Sequence, residues 1–270
     1  MELLSLCSDL SARKSKYFKE IQAVLRALYY ANFVHMSLEG LFPIEKWLFS
    51  TRSVLNMLNE QDYIFLIGKQ DIQKYRKGEI IFKEGMMPSG LYYIHSGKVK
   101  KYKKGATGKE QIIYVANKGE LIGYHAILSE ERHQDSAAVL EESLISFIPK
   151  EDFFEILQRN PQFATSLLKA LSHEFTVFVN NISAFSDASA AERLAIALIV
   201  FREKSKAGLS YGETIVIDIS RSDLAGIAGI AKENVIRLLK EFKAEGMIKT
   251  QGRKIWIQDI EKLVRRSNRS

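Results

Sequence analysis

The stretch Ser220-Arg-Ser-Asp-Leu-Ala-Gly-Ile-Ala-Gly-Ile-Ala-Lys-Glu-Asn-Val-Ile-Arg-Leu-Leu-Lys240 constrains this chain most, because its residue types recur at the offsets of two short helices clasped around a turn. Ser220 is placed to cap the first helix, and Asp223 three residues on favours the positive end of its dipole. Leu224 and Ala225 then fall on an inward face, with alanine small enough to let a second helix approach. Gly229 comes four residues after Ala225, where the chain must turn sharply and a residue without Cβ avoids the steric cost. Ile230, Val235 and Leu238 supply apolar contacts between the helices. The pattern predicts a helix-turn-helix, a shape whose second helix can enter the major groove of DNA.

If that second helix begins near Ala231, its inward face is Val235, Leu238, Leu239 and Phe242, which leaves Lys232, Glu233, Asn234, Arg237 and Lys240 outside. Arg237 can pair with guanine O6 and N7 and Glu233 can accept from cytosine N4, each worth ~1–3 kcal/mol of discrimination. The same two residues are four apart and could instead form a helix-surface ion pair worth ~0.2–0.5 kcal/mol. Lys232 and Lys240 suit phosphates. Gly246 to Ile257 reads as two strands around a Gly252 turn, making the motif winged, with Arg253 and Lys254 at the wing tip and Arg221 and Ser222 at the first helix all placed for backbone contacts.

Charge agrees with this reading. The 270-residue chain carries +7, and from Asp187 onward there are 16 Lys/Arg against 11 Asp/Glu, so the excess lies mostly in the C-terminal third. A single cysteine, Cys7, excludes an intramolecular disulfide and an all-cysteine iron–sulfur cluster within one chain. No apolar run of about 18 residues exists to span a membrane, and the opening residues lack the pattern of a secretory signal. A cytoplasmic protein is expected.

Upstream, residues 1–50 are expected to form a helical extension, because Tyr17, Phe18, Ile21, Val24, Leu25 and Leu28 are spaced for one helix face, and Met36 is a second possible start. From Asp71 to Lys150, short apolar strands are punctuated by glycine: 79–82, 91–94, 98–102, 111–115 and 144–148, with 119–128 as a strand leading into a short helix. That regular spacing predicts an antiparallel roll. Pro161 then opens a long helix in which Ala164, Leu168, Leu171, Phe175, Phe178, Ile182 and Phe185 alternate spacings of four and three, a seam suited to a second copy of the chain. Another helix at 191–201 and a strand at 214–218 lead into the motif. The expected fold is α+β: an N-terminal antiparallel β-roll at 51–160, a dimerisation helix at 161–186 and a C-terminal winged helix-turn-helix at 187–270.

In this order, and through Tyr75 to Gly85, Gly90 to Val99, Phe147 to Lys150 and Ser220 to Ile257, the chain resembles the Crp/Fnr family of bacterial transcription regulators over residues 55–265. The resemblance implies a homodimer on a near-palindromic double-stranded site, RNA polymerase as a partner, and Glu233 and Arg237 as readers of a half-site containing a G·A step. It also implies an effector pocket, and there the chain departs from the cyclic-AMP binders. Tyr124 follows the pocket glycine, Gly123, where they have an acid for the ribose; Asp135-Ser136 replaces their phosphate-holding Arg-Ser pair; Phe178-Val179 replaces their adenine-contacting Thr-Ser. An anionic Asp135 would repel a phosphate, so cyclic AMP is not the expected effector, and an unidentified small molecule remains open. No cofactor or metal is expected, although His125 and His133 lie near Glu130 and Glu131. Two competing classes are a metal-dependent cupin-like enzyme with an accessory winged helix, which needs several histidines and a carboxylate converging inside the roll, and a scaffold whose winged helix serves protein contacts.

Overall fold

The computed structural model describes residues 38, 40–206 and 214–268; Cys7, the stripe from Tyr17 to Leu28 and Met36 lie outside them. Eight antiparallel strands, β1 (Ile72–Tyr75), β2 (Ile80–Phe82), β3 (Gly90–Ser96), β4 (Lys98–Lys104), β5 (Glu110–Asn117), β6 (Leu121–Ile122), β7 (Ser136–Val139) and β8 (Ser143–Pro149), form two four-stranded sheets of order β1-β8-β3-β6 and β2-β7-β4-β5. This is the expected roll, with β1 and β7 in addition to the strands read from sequence. Strand β3 is buried on both sides. Its Ile94 meets Phe82, Val99, Ile122 and Ile145 between the sheets, while Leu91 and Tyr93, on the opposite face by the two-residue period, meet the helices outside. His133 joins the inner layer, 5% exposed and stacked on Phe82 with ring centroids 4.0 Å apart.

The helical layer begins with α1 (Glu60–Tyr63), capped by the Asn59 side chain, which accepts from the Asp62 amide at 2.8 Å. A short helix α2 (Tyr124–Leu128) follows β6, and α3 (Lys150–Arg159) follows β8. The long helix α4 (Pro161–Asp187) starts where its sequence demands: Pro161 fills a first-turn position that needs no N–H, and the Asn160 side chain accepts from the Phe163 amide at 3.0 Å. Phe163 and Leu167 of α4 pack with Phe153 and Ile156 of α3 against the outside of the roll. Leu168, Phe175 and Ile182, from the stripe read as a seam, remain 67–69% exposed.

Helix α5 (Ala190–Lys206) begins with a capping box, in which the Ser189 amide donates to Glu192 at 2.6 Å and the Glu192 amide to Ser189 Oγ at 3.3 Å. Then come β9 (Ile217–Asp218), α6 (Arg221–Ala228), α7 (Lys232–Ala244), β10 (Ile248–Gln251), β11 (Lys254–Ile257) and α8 (Ile260–Ser267), with the strands ordered β10-β11-β9. Strand β9 is shorter than the expected 214–218, pairing only Ile217 and Asp218 with β11. Helix α8, not anticipated from sequence, closes the domain by burying Ile260, Leu263 and Val264.

Phe153 is fully buried and meets Phe163 edge-on at 6.2 Å. Phe153→Ala is expected to cost about 3–5 kcal/mol, read as a lower urea midpoint. Burial also lowers the pKa of His133, more than Asp135 raises it, and burial lowers that of His95. The folded chain thus favours neutral imidazoles, and the unfolded chain takes up protons first as pH falls through the ordinary 6.5. Stability should be full above that value and decline as pH falls below it. Phe in place of His133 should flatten part of that decline in urea titrations at each pH.

Candidate nucleic-acid interface and sensor pocket

The turn between α6 and α7 is built as its residues require. Ser220 Oγ accepts from the Asp223 amide at 2.9 Å, and Gly229 sits at φ +64°, a left-handed conformation that carries a cost with a side chain. A Cβ on Gly229 would also lie 2.7 Å from the Phe185 ring, so this turn rests directly on the end of α4. Leu224, Ala225, Ile230, Val235, Leu238, Leu239 and Phe242 are buried.

The opposite side of α7 is open. Lys232, Glu233, Asn234, Ile236, Arg237 and Lys240 are exposed together, and no side chain caps the helix at Ala231. The ion pair considered between Glu233 and Arg237 is not formed; Arg237 instead leans on Glu241 at 3.5 Å, one turn further along. Arg221 donates to the wing-turn carbonyls of Gly252 at 2.9 Å and Arg253 at 3.4 Å, and burial lowers its pKa. Its guanidinium therefore ties the first helix to the wing. Arg253 pairs with Asp218 at 3.1 Å while remaining exposed, as are Ser222 and Lys254.

The roll's pocket holds an internal polar cluster. Gly123, at φ +87°, turns the chain into α2, and the buried Tyr124 hydroxyl donates to Glu174 Oε2 of α4 at 2.9 Å. His125 Nε2 meets the same oxygen at 2.8 Å. Beside them Lys101 pairs with Asp135 at 3.0 Å, both buried, and its ammonium lies 3.5 Å from His125 Nδ1. Burial pushes the Glu174 carboxyl up, but the hydrogen bond and charge of His125, with Lys101 and Tyr124, outweigh it and hold the group below the ordinary carboxylate range. Burial, reinforced by the Glu174 charge, lifts the Tyr124 phenol well above its usual value and keeps it a donor.

This geometry corrects three expectations. Asp135 is not an uncompensated anion, because Lys101 neutralises it. Ser136 accepts from the Glu84 amide at 3.0 Å and holds a strand crossing. Val179, 47% exposed, does not enter the roll; Phe178 is half-buried beside Ile112 and Val115 of β5; and the residue of α4 that reaches the Tyr124 hydroxyl is Glu174, one turn earlier. Glu174 was legible as the one acid on the inward row Phe163, Leu167, Ala170, Glu174, Val177 and Ala184. Among the described residues, no three His, Cys, Asp or Glu side chains gather as a metal-binding group.

The roll and the winged helix meet at a specific joint. Lys100 bridges Glu110 at 2.6 Å and Asp223 at 2.9 Å, and Gln111 donates to the Gly226 carbonyl at 2.8 Å. Contact there is close, since a Cβ on Gly226 would lie 2.9 Å from the Glu110 carbonyl. From α5, Lys204 donates to the Val115 carbonyl and faces Glu120 at 3.6 Å, while Asn117 donates to the Lys204 carbonyl at 2.9 Å.

Known proteins share this arrangement. Residues 72–160 match the cyclic nucleotide-binding domain family and residues 192–266 the Crp-like helix-turn-helix domain family. The anaerobic regulatory protein of Pasteurella multocida is 30% identical over 209 residues, 77% of this chain and 76% of its own length. The fumarate and nitrate reduction regulatory protein of Escherichia coli is 31% identical over 189 residues, 70% of this chain and 75% of its own. The structure of FixK2 from Bradyrhizobium japonicum has the same fold, with a TM-score of 0.63 at 22% identity over 72% of this chain and 95% of that one. A roll joined through one long helix to a winged helix-turn-helix, with regulators as relatives across most of its length, makes this chain a member of the Crp/Fnr family of DNA-binding transcription regulators.

Proposed function

We propose that the chain works as a cytoplasmic homodimer without catalytic activity, reading a near-palindromic site through α7 and acting on RNA polymerase. The observation that carries this reading is the exposed row Lys232, Glu233, Asn234, Arg237 and Lys240, on a helix whose other side is apolar and buried. Arg237 and Glu233 read base edges, Ile236 offers an apolar contact for a thymine methyl, and Asn234, Lys232 and Lys240 complete the surface. Ser222, Arg253 and Lys254 approach phosphates, and Arg221 holds the wing in place for them. The division of labour follows 51–160 for sensing, 161–186 for dimerisation and 187–270 for DNA. Leu168, Phe175 and Ile182 support the dimer, as so large an exposed apolar stripe is the mark of an interface.

On this reading the roll does not take a cyclic nucleotide in the manner of the cyclic-AMP binders. Tyr124, Glu174 and the Lys101–Asp135 pair already satisfy one another where that ligand would bridge roll and long helix.

Selection of bound sequences from random DNA tests the reading, with enrichment of a two-fold symmetric site as the expected result. Against that site, Arg237→Ala should lose about 1–3 kcal/mol and relax specificity at one guanine, whereas Arg253→Ala should weaken specific and random DNA alike. Equal losses on both DNAs for both variants would overturn the assignment. Phe175→Glu should give a monomer by sedimentation and lower affinity for the full site on the order of 100-fold or more, because two linked half-site contacts become independent.

A further inference from the structure

Two adjacent residues of β4 serve opposite sides of the roll. Lys101 points inward, where its ammonium pairs with Asp135 at 3.0 Å and lies 3.5 Å from His125 Nδ1. Lys100, on the other face by the two-residue period, bonds Asp223 of α6 at 2.9 Å. The internal polar cluster and the anchor of the reader are thus neighbours on one strand.

A second connection runs along α4. Glu174 takes the Tyr124 and His125 hydrogen bonds, and Phe185, against whose ring the Gly229 turn rests, follows eleven residues later on the same helix. Eleven residues make three turns and about 20° more, so the two side chains leave α4 in nearly the same direction, ~16 Å apart along its axis. A rotation of α4 that withdraws Glu174 from Tyr124 also withdraws Phe185 from the turn.

The cluster is complete in itself. Among the described residues, four buried side-chain N or O atoms lack a hydrogen-bond partner, in Trp47, Asn117, Arg193 and Arg266, and none of them belongs to Lys101, Tyr124, His125, Asp135 or Glu174. The space behind Gly123 is filled as well, since a Cβ there would lie 3.5 Å from the Phe82 ring and 3.6 Å from that of His133. A pocket built for a polar effector keeps a few convergent polar groups for it; here they are bonded to one another.

We propose that the cluster is a built-in bridge, holding the roll and α4 in the arrangement that binds DNA, so that the chain takes its site without a small-molecule effector and Glu174 is a positioning residue for the reader. A signal sensed by the roll then acts by opening the bridge, not by completing it. This role rests on the DNA-binding reading above.

Native mass spectrometry of the gel-filtered protein on its selected duplex should give the mass of two chains and the DNA with nothing added, and saturating cyclic AMP should leave the affinity unchanged. Tyr124→Phe and Glu174→Gln should each weaken binding to that duplex about tenfold or more, within the range usual for coupling between sites, while sedimentation still shows the dimer and circular dichroism the folded chain. The double variant should lose no more than the weaker-binding single variant, because both remove one bridge. Ile94→Val, which loosens packing between the sheets and away from α4, should lower the urea midpoint and leave DNA affinity unchanged. A bound molecule in the complex, or tighter binding on adding the small-molecule filtrate of a cell extract, overturns effector independence. Unchanged affinity in folded Tyr124→Phe and Glu174→Gln, or an equal loss in Ile94→Val, overturns the bridge. Enrichment of no sequence from random DNA, with or without the filtrate, instead overturns the reading of the chain as a DNA binder.

Discussion

Helix α4 has to satisfy two different surfaces at once, and the rest of the molecule is arranged around that constraint. Its inward row, Phe163, Leu167, Val177 and Ala184, is buried, whereas Leu168, Phe175 and Ile182 on the adjoining row are exposed. Two apolar rows on one helix each call for cover, while exposed polar residues such as Gln162, Lys169 and Thr176 occupy the remaining surface. The roll takes the first. The second has the period of an identical helix and, in the proposed homodimer, lies against its counterpart. Because the turn of each reader rests on the Phe185 ring, the position of α4 is passed on to α7 by direct packing.

Glu174 shows how the inward row also carries polarity. A carboxylate in an apolar interface carries a large desolvation cost unless it is bonded, and here Tyr124 and His125 both supply hydrogen bonds to one oxygen. Removing one member of such a cluster leaves a buried charge uncompensated, typically a loss of about 3–5 kcal/mol. The cluster therefore fixes the register of α4 against α2 and β4 more narrowly than apolar packing alone. In the resemblance read from sequence, a bound nucleotide would bridge roll and helix; in this chain the bridge is made of side chains.

The sequence was most legible where a residue type has one structural use. Ser220, Gly229 and Pro161 mark their caps and turns, and the strands between glycines fall within a residue or two of their observed bounds. Of the row on α4 read as a seam, Leu168, Phe175, Ile182 and Phe185 are exposed, whereas Leu171 packs on the roll and Phe178 is half-buried beside β5. Less legible was everything decided by tertiary neighbours. Asp135 looks repulsive in isolation because Lys101, thirty-four positions away, is its partner only once β4 and β7 pair. The positions of Phe178 and Val179 in the sequence identify a turn of helix but not its rotation against the roll. Glu174 could have been found by asking why one acid interrupts an apolar row. The Arg221 contacts with the wing had no local signal, because they join segments thirty-one and thirty-two residues apart.

The joint between roll and reader is built from specific polar contacts. Lys100 is shared between Glu110 of the roll and Asp223 of the reader, and Asp223 also receives the hydroxyl hydrogen of Ser220, the cap of α6. The first helix of the DNA-binding motif is thus anchored through its own capping residues, while α7 makes none of these contacts and stays open. A displacement of β5 must therefore move α6 as a body, carrying α7 with it through their shared apolar face. The internal cluster holds β4 and α2 to the long helix, and β5 is paired to β4 along its length.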